Sequence, residues 1–144
     1  MANDGLKIYF CGSIRGGRSD QDLYHHLITF LKKFGKVLTS HVGDKDLEEE
    51  HKFSSRDIYL RDMDWMKEAD IVIAEVSTPS LGVGFEIANA INQSKKTLCL
   101  SRIKKTMISA MIAGCPELDL IVYTDIKEAQ KAIESFIANK KNKL

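Results

Sequence analysis

The sequence lacks an excess of charge of either sign and lacks any long apolar run. Its 21 basic and 20 acidic side chains leave a formal net charge of +1, which gives no general reason to expect a nucleic-acid polymer as partner. No apolar stretch approaches the ~20 residues that cross a bilayer, and no basic stretch followed by a long apolar one opens the chain. We therefore expect neither membrane attachment nor a secretory signal peptide.

Cysteine and histidine are also scarce. The three cysteines are an odd number, and Cys11 and Cys99 lie in apolar, strand-like runs. This pattern predicts reduced thiols packed in the core of a cytoplasmic or nuclear protein. The four histidines show no metal-ligand spacing with the cysteines, and no Ser-His-Asp or G-x-S-x-G arrangement is present. We expect no metal and no organic cofactor.

What the 144 residues do contain is an alternation of apolar strands and amphipathic helices. This order predicts an α/β fold, with a doubly wound parallel five-stranded sheet of the flavodoxin or Rossmann type, in a single domain over residues 1–144. The predicted strands cover 6–11, 36–40, 70–76, 97–100 and 120–123. The predicted helices cover 19–35, 54–69, 83–93, 106–113 and 126–139. The acidic, aperiodic stretch 41–53 is expected to form a flexible loop.

In such a sheet, ligands bind beyond the carboxyl ends of the strands. The loop after the first strand reads "GSIRGG". It lacks the G-x-G-x-x-G spacing and the lysine of a P-loop, but its glycines let the backbone approach a ligand, and Ser13 and Arg15 add a hydroxyl and a guanidinium. Alternatively, it is a turn with an exposed arginine.

The loop after the third predicted strand reads "STPSLGVG". Pro79 stiffens the turn, and the free N–H groups of the following helix attract anions, so a bound phosphate would explain the glycines. Alternatively, Ser80 caps the helix and the glycines serve tight helix packing.

Two carboxylates stand out by position. Asp62 shares the apolar stripe of its predicted helix with Ile58, Trp65 and Met66, and a carboxylate there needs a partner or a function. Glu86 follows the glycines and is expected in the first turn of the next helix, where a favourable interaction with the helix dipole is the alternative explanation. Two such acids beside one crevice suit chemistry at an acetal-like carbon.

Two further residues are candidates on weaker grounds. Tyr9, on the first strand, would bring a hydroxyl to the same crevice, or is an ordinary strand aromatic. Ser109 lies among small and apolar residues in "SAMIAG". This setting predicts a close contact, either with another chain or within the core.

The motifs "YFCGSIRGG", "AEVSTPSLGVGFE" and "SAMI" resemble those of the 2′-deoxynucleoside 5′-monophosphate N-glycosidases (the Rcl type), which are relatives of the nucleoside 2-deoxyribosyltransferases. The resemblance runs from about residue 7 to about 137. It implies hydrolysis of the N-glycosidic bond to a free base and 2-deoxyribose 5-phosphate, with 5-hydroxymethyl-dUMP as a favoured substrate and nucleotide-pool cleaning as the role. It departs in 41–53, which leaves the base preference open.

The resemblance also implies roles for single residues. Glu86 resembles the nucleophile that attacks C1′, Asp62 a second acid that handles protons and orients the substrate, and Tyr9 the tyrosine that positions the nucleophile. Ser109 resembles a serine that the neighbouring subunit brings to the phosphate, so a homodimer is implied. The groups that resemble those around sugar and phosphate are Ser13, Arg15, Gly17, Ser80 and Gly82.

Two other functions remain open at this point. A deoxyribosyltransferase would pass the sugar to a second base, and a nucleotide-binding protein would keep the pocket without turnover. The phosphate-directed motifs favour the hydrolase over the transferase. Binding alone requires neither acid, which argues against the second alternative.

Overall fold

A computed structural model describes residues 5–14 and 20–142, with the side chains of 140–142 left aside. Five parallel strands run in the order β2-β1-β3-β4-β5, which confirms the predicted doubly wound, flavodoxin-like sheet. The strands are β1 (Lys7–Cys11), β2 (Lys36–Val37), β3 (Ile71–Glu75), β4 (Lys96–Ser101) and β5 (Asp119–Val122). The α-helices are α1 (Gln21–Leu31), α2 (Glu48–His51), α3 (Ser55–Glu68), α4 (Leu81–Asn92), α5 (Ala110–Ala113) and α6 (Ile126–Asn142).

The two faces of the sheet are covered by different helices. Ile8 and Phe10 of β1 pack in one apolar cluster with α1 and α6. Tyr9 and Cys11, which alternate with them along the strand, pack in a second cluster that contains Met66 of α3 and residues of α4. Because side chains alternate between the two faces of a strand, Tyr9 faces α3 and α4, the helices that carry the candidate acids Asp62 and Glu86.

The topological switch point lies between β1 and β3, because the chain leaves β1 toward β2 on one side and returns to β3 on the other. β1 and β3 are in parallel register, with Tyr9 beside Val72 and Cys11 beside Ala74. The loops after these two strands therefore open at the same edge of the sheet. This is the position at which the sequence predicted a ligand.

The second strand is shorter than predicted. It ends at Val37, and a 3-10 helix begins at Ser40. Thr39 explains the early end, since its Oγ1 accepts a hydrogen bond from the N–H of Phe10 at 2.9 Å and donates one to the C=O of Phe10 at 2.7 Å. One side chain thus satisfies backbone groups that a longer strand would otherwise have paired.

The segment 41–53, predicted as a flexible loop, is partly helical. The structure places the 3-10 helix Ser40–Gly43 and the short helix α2 in this segment. Four residues of α2 are too few to show a helical period in the sequence. The segment is attached to α3, because Arg61 is ion-paired with Glu50.

Other boundaries differ by a few residues. α4 begins at Leu81 after the cap Ser80, so Glu86 lies in the second turn of the helix and not in the first. The predicted helix 106–113 is divided into a 3-10 helix at Lys105–Met107 and α5, with Ser109 as the cap of α5. Among the described residues, no helix combines the length and the apolarity that spanning a bilayer requires.

Candidate active site

Glu86 is held from the sheet by Tyr9. The phenol O–H of Tyr9, a fully buried residue of β1, donates a hydrogen bond to Oε2 of Glu86. The bond links residues 77 positions apart in the chain. The structure thus places two predicted site residues in contact, and Tyr9 is more than an ordinary strand aromatic.

The surroundings of Glu86 change its acidity. Burial raises the pKa of Glu86 to about 7, although the hydrogen bond from Tyr9 lowers it and the nearby charge of Asp62 raises it. A carboxyl with this pKa exchanges its proton near neutral pH. Burial, with a further contribution from the charge of Glu86, keeps the pKa of Tyr9 above its ordinary range, so the phenol remains a donor.

Asp62 lies on α3, across the cavity from the start of α4. Its Oδ1 accepts a hydrogen bond from Nε of Arg61 at 3.0 Å and forms an ion pair with Nη2 at 2.9 Å. Burial raises the pKa of Asp62, while the hydrogen bond and charge of Arg61 lower it. Asp62 is partly exposed and faces the cavity, whereas Asp64 on the same helix is exposed to solvent, as the helical spacing predicted.

Asp62 and Glu86 line the same cavity, which has a volume of about 630 Å³. Its wall includes Glu86, Asp62 and Glu50, together with Ile58 and Tyr59 of α3. A volume of this size is typical of a small-molecule site. The three carboxylates stand among apolar and hydroxyl-bearing side chains of the wall, and carboxylates in a cavity can take part in proton transfer or stabilise positive charge.

The first turn of α4 forms another part of the cavity wall, with Ser80 and Gly82. Ser80 caps the helix, since its Oγ accepts a hydrogen bond from the N–H of Val83 at 3.2 Å. The predicted cap is therefore present, and packing against the described residues does not explain the glycines. Among those residues, a Cβ atom at Gly82 would meet only Ser80 Oγ, at 3.8 Å, and one at Gly84 would meet no heavy atom within 4 Å.

The loop after β1 lies beside this cavity. Gly12 lines it, and a Cβ at Gly12 would approach the ring of Tyr24 to 2.8 Å, so glycine is required here by packing. Ser13 is fully buried, its N–H donates to the Tyr24 hydroxyl, and its Oγ has no hydrogen-bond partner among the described residues. The predicted residues Arg15 and Gly17 lie outside the described residues.

Ser109 does not line this cavity. It lies in a second cavity of about 570 Å³, on the other side of the first turn of α4. Four residues line both cavities, namely Pro79, Ser80, Leu81 and Val83. The side chain of Ser109 accepts a hydrogen bond from the N–H of Met111.

Two charged residues of the site were not predicted from the sequence. Glu50 and Arg61 form an ion pair beside Asp62, and the guanidinium of Arg61 lies 4.7 Å from the ring centroid of Trp65. Glu50 is one of three consecutive glutamates, and nothing in that run distinguishes it. Arg61 adjoins Asp62 in sequence, and adjacent residues on a helix do not ordinarily face each other.

Cys11 is a further neighbour of Glu86. Burial and the charge of Glu86 raise the pKa of its thiol, so it remains neutral. The prediction that Cys11 and Cys99 pack in the core is confirmed, since both are buried. Within residues 5–14 and 20–142, no group of His, Cys, Asp and Glu side chains is arranged to hold a metal ion.

Comparison with known proteins adds to this geometry. The sequence pattern of the family described as "Nucleoside 2-deoxyribosyltransferase" matches residues 8–140. A relative from Tetraodon nigroviridis, named 5-hydroxymethyl-dUMP N-hydrolase, is 45% identical over 94% of this chain and 100% of its own length. A human protein of the same name is 42% identical over 85% of this chain and 73% of its own.

A solved structure has the same fold. The CMP N-glycosidase of Clostridium botulinum superposes with a TM-score of 0.65 over 90% of this chain and 98% of its own, at 21% sequence identity. At that identity the likeness concerns the arrangement of strands and helices.

Proposed function

Because the chain belongs to the nucleoside 2-deoxyribosyltransferase family, we propose that it hydrolyses the N-glycosidic bond of 2′-deoxynucleoside 5′-monophosphates. The products are a free base and 2-deoxyribose 5-phosphate. The predicted enzyme class agrees with the names of the relatives, and 5-hydroxymethyl-dUMP is the first substrate to test, since the relatives from fish and man carry its name. The observation that carries the proposal is Glu86, bound by Tyr9 and facing the same cavity as Asp62.

In the proposed reaction the ionised Glu86 attacks C1′. The C1′–N bond breaks, its electron pair leaves with the base, and an ester forms between C1′ and Glu86. Water then attacks C1′, the carboxylate leaves, and the configuration is retained. A 2-deoxy sugar favours this path, because no electronegative 2′-oxygen opposes the positive charge that develops at C1′.

The other side chains support that step. Tyr9 fixes the carboxylate of Glu86 and stabilises its ionised form through a hydrogen bond. Asp62 lies within electrostatic reach of Glu86, and we assign to it proton transfer to the base and orientation of the substrate. An intracellular setting, in cytoplasm or nucleus, fits three cysteines that form no disulfide.

The phosphate is assigned to the first turn of α4 and to the loop after β1. A helix start carries N–H groups without intrahelical partners, and these bind anions. In α4 the N–H of Val83 is bonded to the Ser80 side chain and that of Gly84 to the Ser80 carbonyl. The N–H groups of Leu81 and Gly82, with Ser13, Arg15 and Gly17 of the other loop, are the proposed ligands.

A second copy of the chain completes the proposed site. The cavity that contains Ser109 is bordered by large apolar side chains that are strongly exposed, with Leu81 at 96% and Met111 at 82%. Apolar surface of this kind marks an interface. We assign it to a homodimer in which Ser109 reaches the phosphate in the partner's cavity, as the resemblance implied.

Substitution of the nucleophile tests the reaction. We expect Glu86→Gln to abolish release of base from 5-hydroxymethyl-dUMP, followed by chromatography, while the nucleotide still binds. The matched control is Asp64→Asn, which removes a carboxylate from the exposed face of α3 and should leave base release unchanged. Wild-type turnover by Glu86→Gln would exclude Glu86 as nucleophile.

The assay also separates the alternatives. If a second free base is added and a new nucleotide appears, the enzyme is a transferase. If a panel of deoxy- and ribonucleoside monophosphates gives no free base at all, the pocket binds without turnover.

A further inference from the structure

A polar cluster underlies the loop at 76–80, beyond the carboxyl ends of β3 and β4. Nη2 of Arg102 donates to Oδ2 of Asp20 at 2.6 Å, and Oγ1 of Thr78 donates to the same oxygen at 2.8 Å. The backbone N–H of Arg102 donates to Oγ of Ser77 at 2.8 Å. Two consecutive residues of the loop are thus held by one arginine and one aspartate.

The cluster is anchored deep in the sheet by Glu75, the last residue of β3. Glu75 is 1% exposed, and its carboxylate accepts hydrogen bonds from the N–H of Ser77, at 2.6 Å, and from the hydroxyl of Tyr123. Nε of Arg102 lies 3.7 Å from Oε2 of Glu75. Arg102 therefore bridges two carboxylates, Glu75 and Asp20.

These ion pairs add little to stability. The carboxylates of Asp20 and Glu75 are largely buried, but the Arg102 side chain is 39% exposed, and an ion pair in contact with solvent contributes little free energy. What directional polar bonds do supply is a defined position for the groups they join. Here those groups are the loop at 76–80 and Asp20, which directly precedes α1.

The loop fixed by the cluster leads into the candidate site. Ser80 caps α4, and Ser80 and Gly82 line the cavity with Glu86. Glu86 itself is fixed separately, by the hydroxyl of Tyr9. A displacement of the loop would therefore move the groups that hold the substrate before it moved the nucleophile.

We propose that Asp20, Thr78 and Arg102 form a positioning cluster that sets the place of the substrate-binding loop, an inference that rests on the proposed function. None of the three is a catalytic residue. Loss of the cluster weakens binding of the nucleotide, raising KM and Kd together, and leaves kcat nearly unchanged. A cluster that served only the stability of the fold would change neither constant.

The test compares two substitutions at one position. Thr78→Val keeps the shape of the side chain and removes its hydrogen bond to Asp20, whereas Thr78→Ser keeps the hydroxyl. We expect Thr78→Val to raise KM for 5-hydroxymethyl-dUMP by about 10-fold, since a hydrogen bond to a charged group contributes a factor of that order or more to an equilibrium constant. Thr78→Ser should stay close to wild type.

Asp20→Asn, which removes the negative charge that both Arg102 and Thr78 contact, should raise KM by about 10-fold or more.

Each variant is also made in the Glu86→Gln background, and Kd for 5-hydroxymethyl-dUMP is measured by calorimetry. This binding readout does not depend on turnover, so absence of base release by the unsubstituted protein would reject the proposed function alone. Folding of each variant is checked by urea denaturation.

The outcomes divide clearly. A raised Kd in Thr78→Val and Asp20→Asn, with Thr78→Ser unchanged, supports the positioning cluster. An unchanged Kd in folded Thr78→Val and Asp20→Asn overturns it, even if the urea midpoint falls. A loss of kcat at constant KM also overturns it, because the cluster would then act on the nucleophile and not on the loop.

Discussion

At Glu86, burial and a hydrogen bond act on the same proton in opposite directions. Burial raises the pKa of this carboxyl to about 7, and the bond from Tyr9 limits the rise. The sequence predicted that Glu86, Asp62 and Tyr9 would share a crevice. It did not predict the pKa, because burial depends on residues of α3 and β1 that are far from Glu86 in the chain.

The pH dependence of kcat/KM follows from these contacts. In the proposed reaction Glu86 must be ionised, so we expect kcat/KM to rise with pH up to about 7. Tyr9→Phe removes a bond that favours the charged form, so the rising limb should move to higher pH, by about one unit. Asp62→Asn removes a like charge and should move it to lower pH, by about half a unit or more.

The measurement is a pH–rate profile of base release for the three proteins with one substrate. The phosphate of the substrate titrates identically in all three, so differences between the profiles belong to the protein. Shifts of the same sign in both variants would contradict the assignment of this limb to Glu86.

The same carboxyl affects stability. Its pKa in the folded protein is about 7, well above the ordinary value of 4.5, so between these pH values the folded state holds a proton that the unfolded chain has lost. The free energy of unfolding therefore falls as pH rises through this window, and Glu86→Gln should remove that fall, by roughly 1–3 kcal/mol at pH 8. Urea denaturation at pH 5 and pH 8 measures it, with Asp64→Asn as control.

At the scale of elements, all five strands and the helices α1, α3, α4 and α6 were predicted, whereas α2 was missed and β2 and α5 were predicted too long. β2 ends early because the side chain of Thr39 takes over its pairing with β1, which no period can show. α2 and α5 have four residues each, too few for an apolar stripe. The family and the fold class are confirmed, and the roles of the site residues stay predictions.

The two glycines in the first turns of α4 offer a matched pair. Alanine in a helix is favoured over glycine by about 0.5–1 kcal/mol, and within the described part of the chain a methyl group at either position would have no close contact. We expect Gly82→Ala and Gly84→Ala both to raise the free energy of unfolding by that amount. Gly82→Ala alone should raise KM, since only Gly82 of the two lines the cavity that contains Glu86.

Urea denaturation and steady-state kinetics of both variants check this pair. An unchanged KM for the stabilised Gly82→Ala protein would argue against a substrate at the start of α4.

At the scale of the whole molecule, the proposed dimer connects the apolar cavity to the reaction. Met111→Glu places a charge on the exposed apolar border of the second cavity, and we expect it to give a monomer with a loss of activity toward nucleotides of about 10-fold or more. Light scattering and base release at the same protein concentration measure both effects. A monomer with full activity would contradict the shared site.

Ser109→Ala isolates the contribution of the partner subunit. It should weaken binding of the monophosphate, by about 10-fold for a lost hydrogen bond to a charged group, and leave binding of the unphosphorylated nucleoside unchanged. Calorimetry with both ligands is the measurement, and equal losses for the two would remove the phosphate role of Ser109. The setting of Ser109 in the sequence predicted a close contact but left open whether it was with another chain or within the core, so the phosphate role came from the family resemblance alone.

Thr39 has one more consequence. The side chain of Thr39 forms hydrogen bonds with both backbone groups of Phe10. The chain can therefore leave the sheet after Val37, before the acidic segment begins. Insertions or deletions between Gly43 and Ser54 would then remodel the cavity border near Glu50 while the strands kept their register. This part of the cavity border can therefore vary in sequence and length without change to the strand that carries Tyr9 or to the helix that carries Glu86.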